Sequence, residues 1–154
     1  MQKANTPGSK ALRKGRFSQP GGIYFITVVS DQRIPWFQDH SLARIMARNL
    51  QDPEMVLGAR VLCWVVMPDH FHLLVQLGDA GLSQVVRKLK ARSAVLLNKE
   101  IGRKGRFWDP GFHDQGLREE DDVRGIARYI VGNPLRAKLA NRVGDYPYWN
   151  AIWM

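Results

Sequence analysis

A single cysteine, Cys63, in a chain of 154 residues excludes a disulfide framework within a monomer and any zinc site built on cysteine. Cys63 sits in an apolar run and is expected to pack as a small hydrophobe. Long hydrophobic stretches are also missing. The longest strictly apolar run, Val61 to Met67, falls far short of the ~20 residues that cross a bilayer. The N-terminus is basic but has no apolar signal core with a small-residue cleavage site, so the expectation is a cytosolic protein with no membrane partner. Internal repeats and low-complexity tracts are absent. Acidic residues are scarce: 14 Asp and Glu stand against 23 Lys and Arg, for a formal net charge of +9.

The basic excess is localised. Residues 1–22 carry five basic side chains and no acid, and residues 87–106 carry eight against one Glu. Patches of this size suit a polyanion, most often nucleic acid; the alternative is a set of solvated basic faces. Hydrophobic residues make up 45% of the chain, which suits a soluble globular protein. Residues 1–20 are polar, basic and interrupted by Pro7, Gly8, Gly15 and Pro20, which predicts a flexible arm ahead of one domain over 21–154.

Within that domain Ile23–Val29 is β-branched and aromatic and predicts a buried strand. Ser41 is placed to cap a helix carrying Leu42, Ile45, Met46 and Leu50 at helical spacing, stopped at Pro53. Val56 to Val66 predicts a second strand with Gly58 as a bulge or late start. Met67-Pro-Asp-His70 turns the chain into a third strand, His70 to Leu77, and the two form a hairpin. Leu82, Val85, Val86, Leu89 and Leu96 mark one face of a long helix over about 82–100. The segment from Arg106 to Leu117 is irregular or a short strand, rich in aromatics. Acids at 119–122 suit the positive end of a third helix, which carries Val123, Ile126, Ala127 and Ile130 and ends at Asn133-Pro134. The order matches a ferredoxin-like α+β fold: helices on one face of an antiparallel sheet, with the other face available.

The chemistry-bearing residues fall on that frame. His70 and His72 lie two apart in a strand, so both point to one face, with Phe71 and Leu73 on the other. Paired imidazoles are ready metal ligands; by themselves they are equally explained as hydrogen-bonded sheet residues. Tyr129 and Asn133, at i and i+4, share a helical face. An Asn carbonyl is a hard oxygen ligand, and a phenol beside a metal-bound phosphate is a potential nucleophile. Alone, Tyr129 is a rim aromatic and Asn133 a helix end. Together with strongly basic surfaces, these residues are the parts for cutting a phosphodiester through a covalent tyrosine. Lys10, Arg13, Lys14 and Arg16 of the arm, with Arg87, Lys88, Lys90 and Arg92 of the long helix, are candidate phosphate contacts. Exposed aromatics would stack unpaired bases, although Trp108 and Phe112 are better explained as core. His113 is set aside as a loop histidine and His40 as a surface residue near a helix start.

His70-Phe71-His72 fits the His-hydrophobic-His motif of the HUH single-strand nucleases. Val66-Met-Pro-Asp-His-Phe-His-Leu-Leu74, followed by Tyr129-Ile-Val-Gly-Asn-Pro-Leu-Arg-Ala137, resembles the REP-associated tyrosine transposases. The likeness runs from about Gly22 to the C-terminus and includes Gly105-Arg-Phe-Trp108 and Asp145-Tyr-Pro-Tyr-Trp149. It implies a bacterial, nucleoid-associated enzyme in which Tyr129 is the nucleophile. His70, His72 and Asn133 would then hold Mg²⁺ or Mn²⁺, and the partner would be single-stranded or hairpin DNA. The third ligand in the insertion-sequence relatives is typically Gln; here Asn133 is one methylene shorter. Asp69 stands where relatives commonly have Asn, and either orients an imidazole or forms the turn. The implied reaction passes through a 5′-phosphotyrosine at repetitive extragenic palindromes, in a monomer or homodimer. The alternatives are a DNA-binding protein that keeps the fold without the chemistry, and a metal-dependent hydrolase, for which the His-Glu-x-x-His pattern is missing.

Overall fold

The computed structural model describes residues 19–118 and 121–153. The basic arm, including Lys10, Arg13, Lys14 and Arg16, lies outside the described residues, as do Glu119 and Glu120 of the acidic run.

Five strands form one antiparallel sheet: β1 (Ile23–Val29), β2 (Arg60–Met67), β3 (His70–Gln76), β4 (His113–Gly116) and β5 (Trp149–Ala151). Their spatial order is β4-β1-β3-β2-β5, the ferredoxin-like arrangement with one further strand at the β2 edge. The β2–β3 hairpin pairs Met67 with His70 and Val65 with His72, while β1 places Val29 opposite His70 and Thr27 opposite His72. The central strand β3 is thereby fixed from both sides, and its alternation separates two apolar layers.

The first layer is the larger. Ile26, Val28, Trp64, Val66, Phe71, Leu73 and Val75 pack against helices α1 (His40–Gln51) and α2 (Leu82–Ile101). Leu42, Ala43, Met46 and Leu50 supply the apolar stripe of α1; Leu82, Val85, Val86, Leu89 and Leu97 supply that of α2. Phe107 and Trp108 complete this core, with Trp108 Nε1 donating to Ser93 Oγ at 3.0 Å. Trp108 is buried in the core, as its residue type favours, and is not a base-stacking platform.

Several boundaries differ from the sequence expectation. Asp39, not Ser41, caps α1: its carboxylate accepts from the backbone N–H groups of Ser41 and Leu42 at 2.8 and 3.3 Å. Pro53 does not simply stop the chain; it opens a 3-10 turn, Pro53–Val56, after which Leu57 adopts a left-handed conformation and the strand starts only at Arg60. The bulge lies between Val61 and Cys63, not at Gly58. Gly102, at φ +67°, closes α2 as the left-handed residue that glycine accepts without strain.

The histidine face is not left open along its length. Helix α3 (Val123–Val131), capped by the Asp122 carboxylate on the Gly125 N–H, crosses to this face. It lays Ala127, Ile130 and Val131 over Cys63, Val65, Met67 and Leu74. The reason is in β2 itself: it is apolar on both faces, and a strand buried on two sides needs cover on two sides. Cys63 belongs to this second layer, and burial pushes its thiol up from 9.0 to about 12, so it is a packing residue. Among the described residues no helix is long and apolar enough to cross a membrane.

Phe71 is fully buried and meets Trp108 edge-on, ring centroids 5.3 Å apart. Phe71→Ala is therefore expected to lower stability by about 3–5 kcal/mol, read from the midpoint of denaturant unfolding. A shift near zero would mean that the layer between the sheet and α2 is not packed as described.

Candidate active site

The two imidazoles stand side by side at the start of β3, ring centroids 4.8 Å apart and planes at 73°. Each is held by a different neighbour through the same ring nitrogen. Thr27 Oγ1 lies 2.8 Å from His72 Nδ1, across the β1–β3 ladder. Asp69 Oδ1 lies 2.7 Å from His70 Nδ1. With both Nδ1 atoms engaged, both Nε2 atoms are left for a ligand, and neither has a hydrogen-bond partner among the described residues. Phe25 packs on His72 at 5.3 Å in an edge-to-face contact, which further limits that ring's rotation.

Asp69 is more than a turn former. Its second oxygen pairs with Arg33 Nη1 at 3.2 Å, giving a chain from Arg33 through Asp69 to His70. Burial alone would raise the Asp69 carboxyl; the hydrogen bond and charge of His70, then those of Arg33, bring it below its ordinary 3.8. His72 moves the other way from a typical exposed histidine. Burial, then the positive charges of His70 and Arg136, pushes it down to about 3, so it is neutral at physiological pH and able to offer a lone pair.

Tyr129 is on α3, and its side chain is 57% exposed. Asn133 does not end that helix in the simple way its place before a proline suggests. The helix closes at Val131, Gly132 keeps right-handed helical angles, and a separate turn, Asn133–Arg136, starts with Pro134 in its first positions. Proline is accommodated there because the first N–H groups of a helix have no intrahelical acceptor. This turn packs against β2. The Asn133 side chain brings its amide nitrogen into a buried place where it finds no hydrogen-bond partner.

Three residues at the site escaped the motif search. Thr27 is the one aliphatic hydroxyl in a strand that is otherwise aliphatic or aromatic, a signal visible in retrospect. Arg33 reaches Asp69 across 36 positions, which no local pattern reveals. Arg136 stacks on the Tyr129 ring, its Cζ 3.8 Å from the centroid. His113 pairs with Thr27 in the β1–β4 register and so shares the histidine face from the edge strand. On α2, Arg87 and Arg92 are exposed. Lys90 instead donates its ammonium to the carbonyls of Asp109 and Gly111 at 2.8 and 2.6 Å, anchoring the loop before β4. His40 lies at the start of α1, hydrogen-bonded to the Tyr148 hydroxyl.

Among the described residues, no three His, Cys, Asp or Glu side chains cluster as metal ligands. A cation held here would have two imidazoles and then amide or substrate oxygens. That mixed set of imidazole nitrogens and oxygens suits a divalent cation at a site with open positions. The Asn133 amide adds to the fit: a half-turn of its χ2 exchanges nitrogen for oxygen, placing an acceptor at the unpartnered position.

A sheet with paired imidazoles aimed outward, bordered by a helix bearing an exposed tyrosine, is the architecture of a single-tyrosine transposase. Residues 19–133 match the family described as transposase, IS200-like, and the chain belongs to that family. It is similar to the REP-associated tyrosine transposase of Escherichia coli K12, 28% identical over 138 residues spanning 86% of this chain and 78% of the relative. A second relative is the putative REP-associated tyrosine transposase of Haemophilus influenzae Rd, 27% identical over 140 residues, 83% of this chain and 78% of that one. Among solved structures, a REP-associated tyrosine transposase bound to a REP hairpin superposes with a TM-score of 0.69 at 25% identity, covering 87% of this chain and 79% of its own. A putative transposase from Deinococcus radiodurans shares the fold, with a TM-score of 0.54 at 21% identity over 72% of this chain and 88% of its own.

Because burial above all, with His70 and Arg136 nearby, pushes His72 down to about 3, its ring ¹⁵N signals in the metal-free protein are expected to stay unchanged from pH 7 down to about pH 4.5. Thr27→Val should shift the His72 signals and leave those of His70 in place. Protonation of His72 near pH 6.5 would contradict the packing described around it.

Proposed function

We propose that this transposase cleaves and rejoins single-stranded DNA next to hairpin-forming repetitive extragenic palindromes, through a 5′-phosphotyrosine on Tyr129. The observation that carries the reading is the shared orientation of the two imidazoles, with Nδ1 engaged on each and Nε2 unpartnered. Purely structural histidines in a sheet have no need of that arrangement, whereas a pair of ligands does. Kinship with proteins whose solved relative is bound to a REP hairpin supports the choice of substrate.

The chemistry divides among residues of the chain. The Tyr129 phenol oxygen forms a bond to the scissile phosphorus as the bond from phosphorus to the 3′ oxygen breaks. The leaving electron pair goes to that oxygen, which takes up a proton and becomes a free 3′-hydroxyl, while the phenol gives one up. A phenol ordinarily titrates at about 10, so attack at neutral pH needs positive charge close to the developing phenolate. The phosphate stays attached through an ester of similar energy, so another 3′-hydroxyl can reverse the step without a nucleoside triphosphate. His70, His72 and Asn133 would hold Mg²⁺ or Mn²⁺, which when bound supplies Lewis acidity and a template for phosphate oxygens. Thr27 and Asp69 keep the imidazoles in the ligating tautomer. Arg87, Lys88 and Arg92 on α2, with the basic arm, contact phosphates of the hairpin and its flank.

With a labelled single-stranded hairpin oligonucleotide and Mn²⁺, the wild-type chain should form a covalent adduct that survives denaturing electrophoresis. Tyr129→Phe and chelation by EDTA should each abolish the adduct while hairpin binding persists. A mobility shift without any adduct would assign the non-catalytic DNA-binding reading instead. Nuclease activity retained in Tyr129→Phe would point to a hydrolase. Asp69→Asn and Thr27→Val should each weaken Mn²⁺ binding by about 10–100-fold, measured by calorimetry; unchanged affinity in both would remove the orienting role of these two side chains. Hairpin affinity should fall steeply as salt is raised, and a salt-independent affinity would contradict phosphate tracking.

A further inference from the structure

Arg136 lies in the turn that follows α3, inside the stretch from Tyr129 to Ala137 but with no role assigned to it by the resemblance. Its guanidinium is nevertheless built into the tyrosine's surroundings. The Cζ atom sits 3.8 Å over the Tyr129 ring, and Nη2 donates to the Tyr129 carbonyl oxygen. Gly132 leaves room for this. A Cβ at that position would stand 3.0 Å from Arg136 Nη1 and 3.1 Å from the Arg128 carbonyl, so a side chain there would push the guanidinium off its seat.

Arg136 differs from the arginines that are paired with carboxylates. Arg33, Arg106, Arg128 and Arg142 each have an aspartate within 4.0 Å. No carboxylate pairs with Arg136 among the described residues, and its side chain is exposed. A guanidinium carries five N–H donors in a planar fork. With the guanidinium held by one ring and one carbonyl, its remaining donors are fixed in direction and the side chain is exposed.

An oriented guanidinium on the ring of a phenol, in a turn packed against the strand that pairs with His70 and His72, suits a phosphate oxygen. We propose that Arg136 is a further catalytic residue, whose guanidinium seats the Tyr129 ring with one face and takes a non-bridging oxygen of the scissile phosphate with its free N–H donors. The inference rests on the strand-transfer reading above and adds a residue to it. As the bond from Tyr129 to phosphorus forms and the bond to the 3′ oxygen breaks, negative charge concentrates on the non-bridging oxygens, and a preorganised cation there lowers the barrier. Arg136 stays protonated throughout and transfers no proton; the phenolic proton leaves to solvent and the 3′ oxygen is protonated from it.

The test uses the full chain with Mn²⁺ and a single-stranded REP-hairpin oligonucleotide, following adduct formation in a single turnover. Arg136→Ala and Arg136→Gln should slow the adduct step by about 10²–10³-fold with hairpin affinity unchanged. Arg136→Lys, which keeps the charge and loses the fork, should fall between them and wild type. A second substrate carries a neutral methylphosphonate at the scissile position, which removes the charged oxygen that the guanidinium would meet; on it the gap between Arg136→Ala and wild type should close. An equal loss on both substrates would mark a purely structural residue and overturn the proposal. Wild-type rates from Arg136→Ala would overturn it while leaving Tyr129 in place. Absence of any adduct from the wild-type chain would overturn both readings.

Discussion

Everything at this site depends on how β3 is held. A strand shows every second side chain to the same side, so two histidines separated by one residue share a face whatever surrounds them. Sharing a face is not enough to present two lone pairs together. The rings must also be turned the same way, and that is done by two unrelated contacts: Thr27 from the neighbouring strand on His72, and Asp69 from the hairpin turn on His70. Both take Nδ1. A one-residue slip of β1 against β3 would move Thr27 to the other face and leave His72 without its partner. The opposite face guards against that slip, because Phe71, Leu73 and Val75 are buried with Ile26 and Val28 under two helices. The core therefore sets the register, and the register orients the ligand pair.

The second constraint is the join after α3. A continuous helix through residues 129–136 would place Tyr129 and Asn133 on one face, as their spacing alone suggests. Instead the helix ends at Val131 and a new turn begins at Asn133, with Pro134 early in it. The break brings Arg136 back over the ring of Tyr129 and turns the Asn133 amide into a buried, unpartnered position. Gly132 is the hinge of this arrangement, since the guanidinium passes where a side chain would be. The same few residues thus shape both the surroundings of Tyr129 and the seat of the Asn133 amide.

Local pattern made much of this legible. β1 lies where its β-branched run predicts, the β2–β3 hairpin follows from the Met67-Pro-Asp-His70 turn, and α2 runs almost as its apolar stripe indicates. Asp39 and Ser41 are both good caps two residues apart, and only geometry chooses between them. The late start of β2 was hidden because Pro53 restarts a turn as readily as it ends a helix. The cover that α3 lays over the histidine face was written in the two-sided hydrophobicity of β2, although the alternation in β3 suggested an open face. The contacts that refine the site were beyond any window on the sequence: Thr27 to His72 and Arg33 to Asp69 exist only because distant segments pair. Two histidines and a distant tyrosine stand out in the sequence because that combination is rare, whereas an arginine near a helix end is common and carries no signal of its own.

The central claim is that one side chain carries the DNA between cutting and joining. Proteolysis of the covalent adduct, followed by mass spectrometry of the nucleotide-bearing peptide, tests it directly. The account predicts a single modified peptide, with the 5′-phosphate ester on Tyr129 and the released strand ending in a free 3′-hydroxyl. A phosphate found on Tyr146 or Tyr148, or a 3′-linked nucleotide, would contradict it.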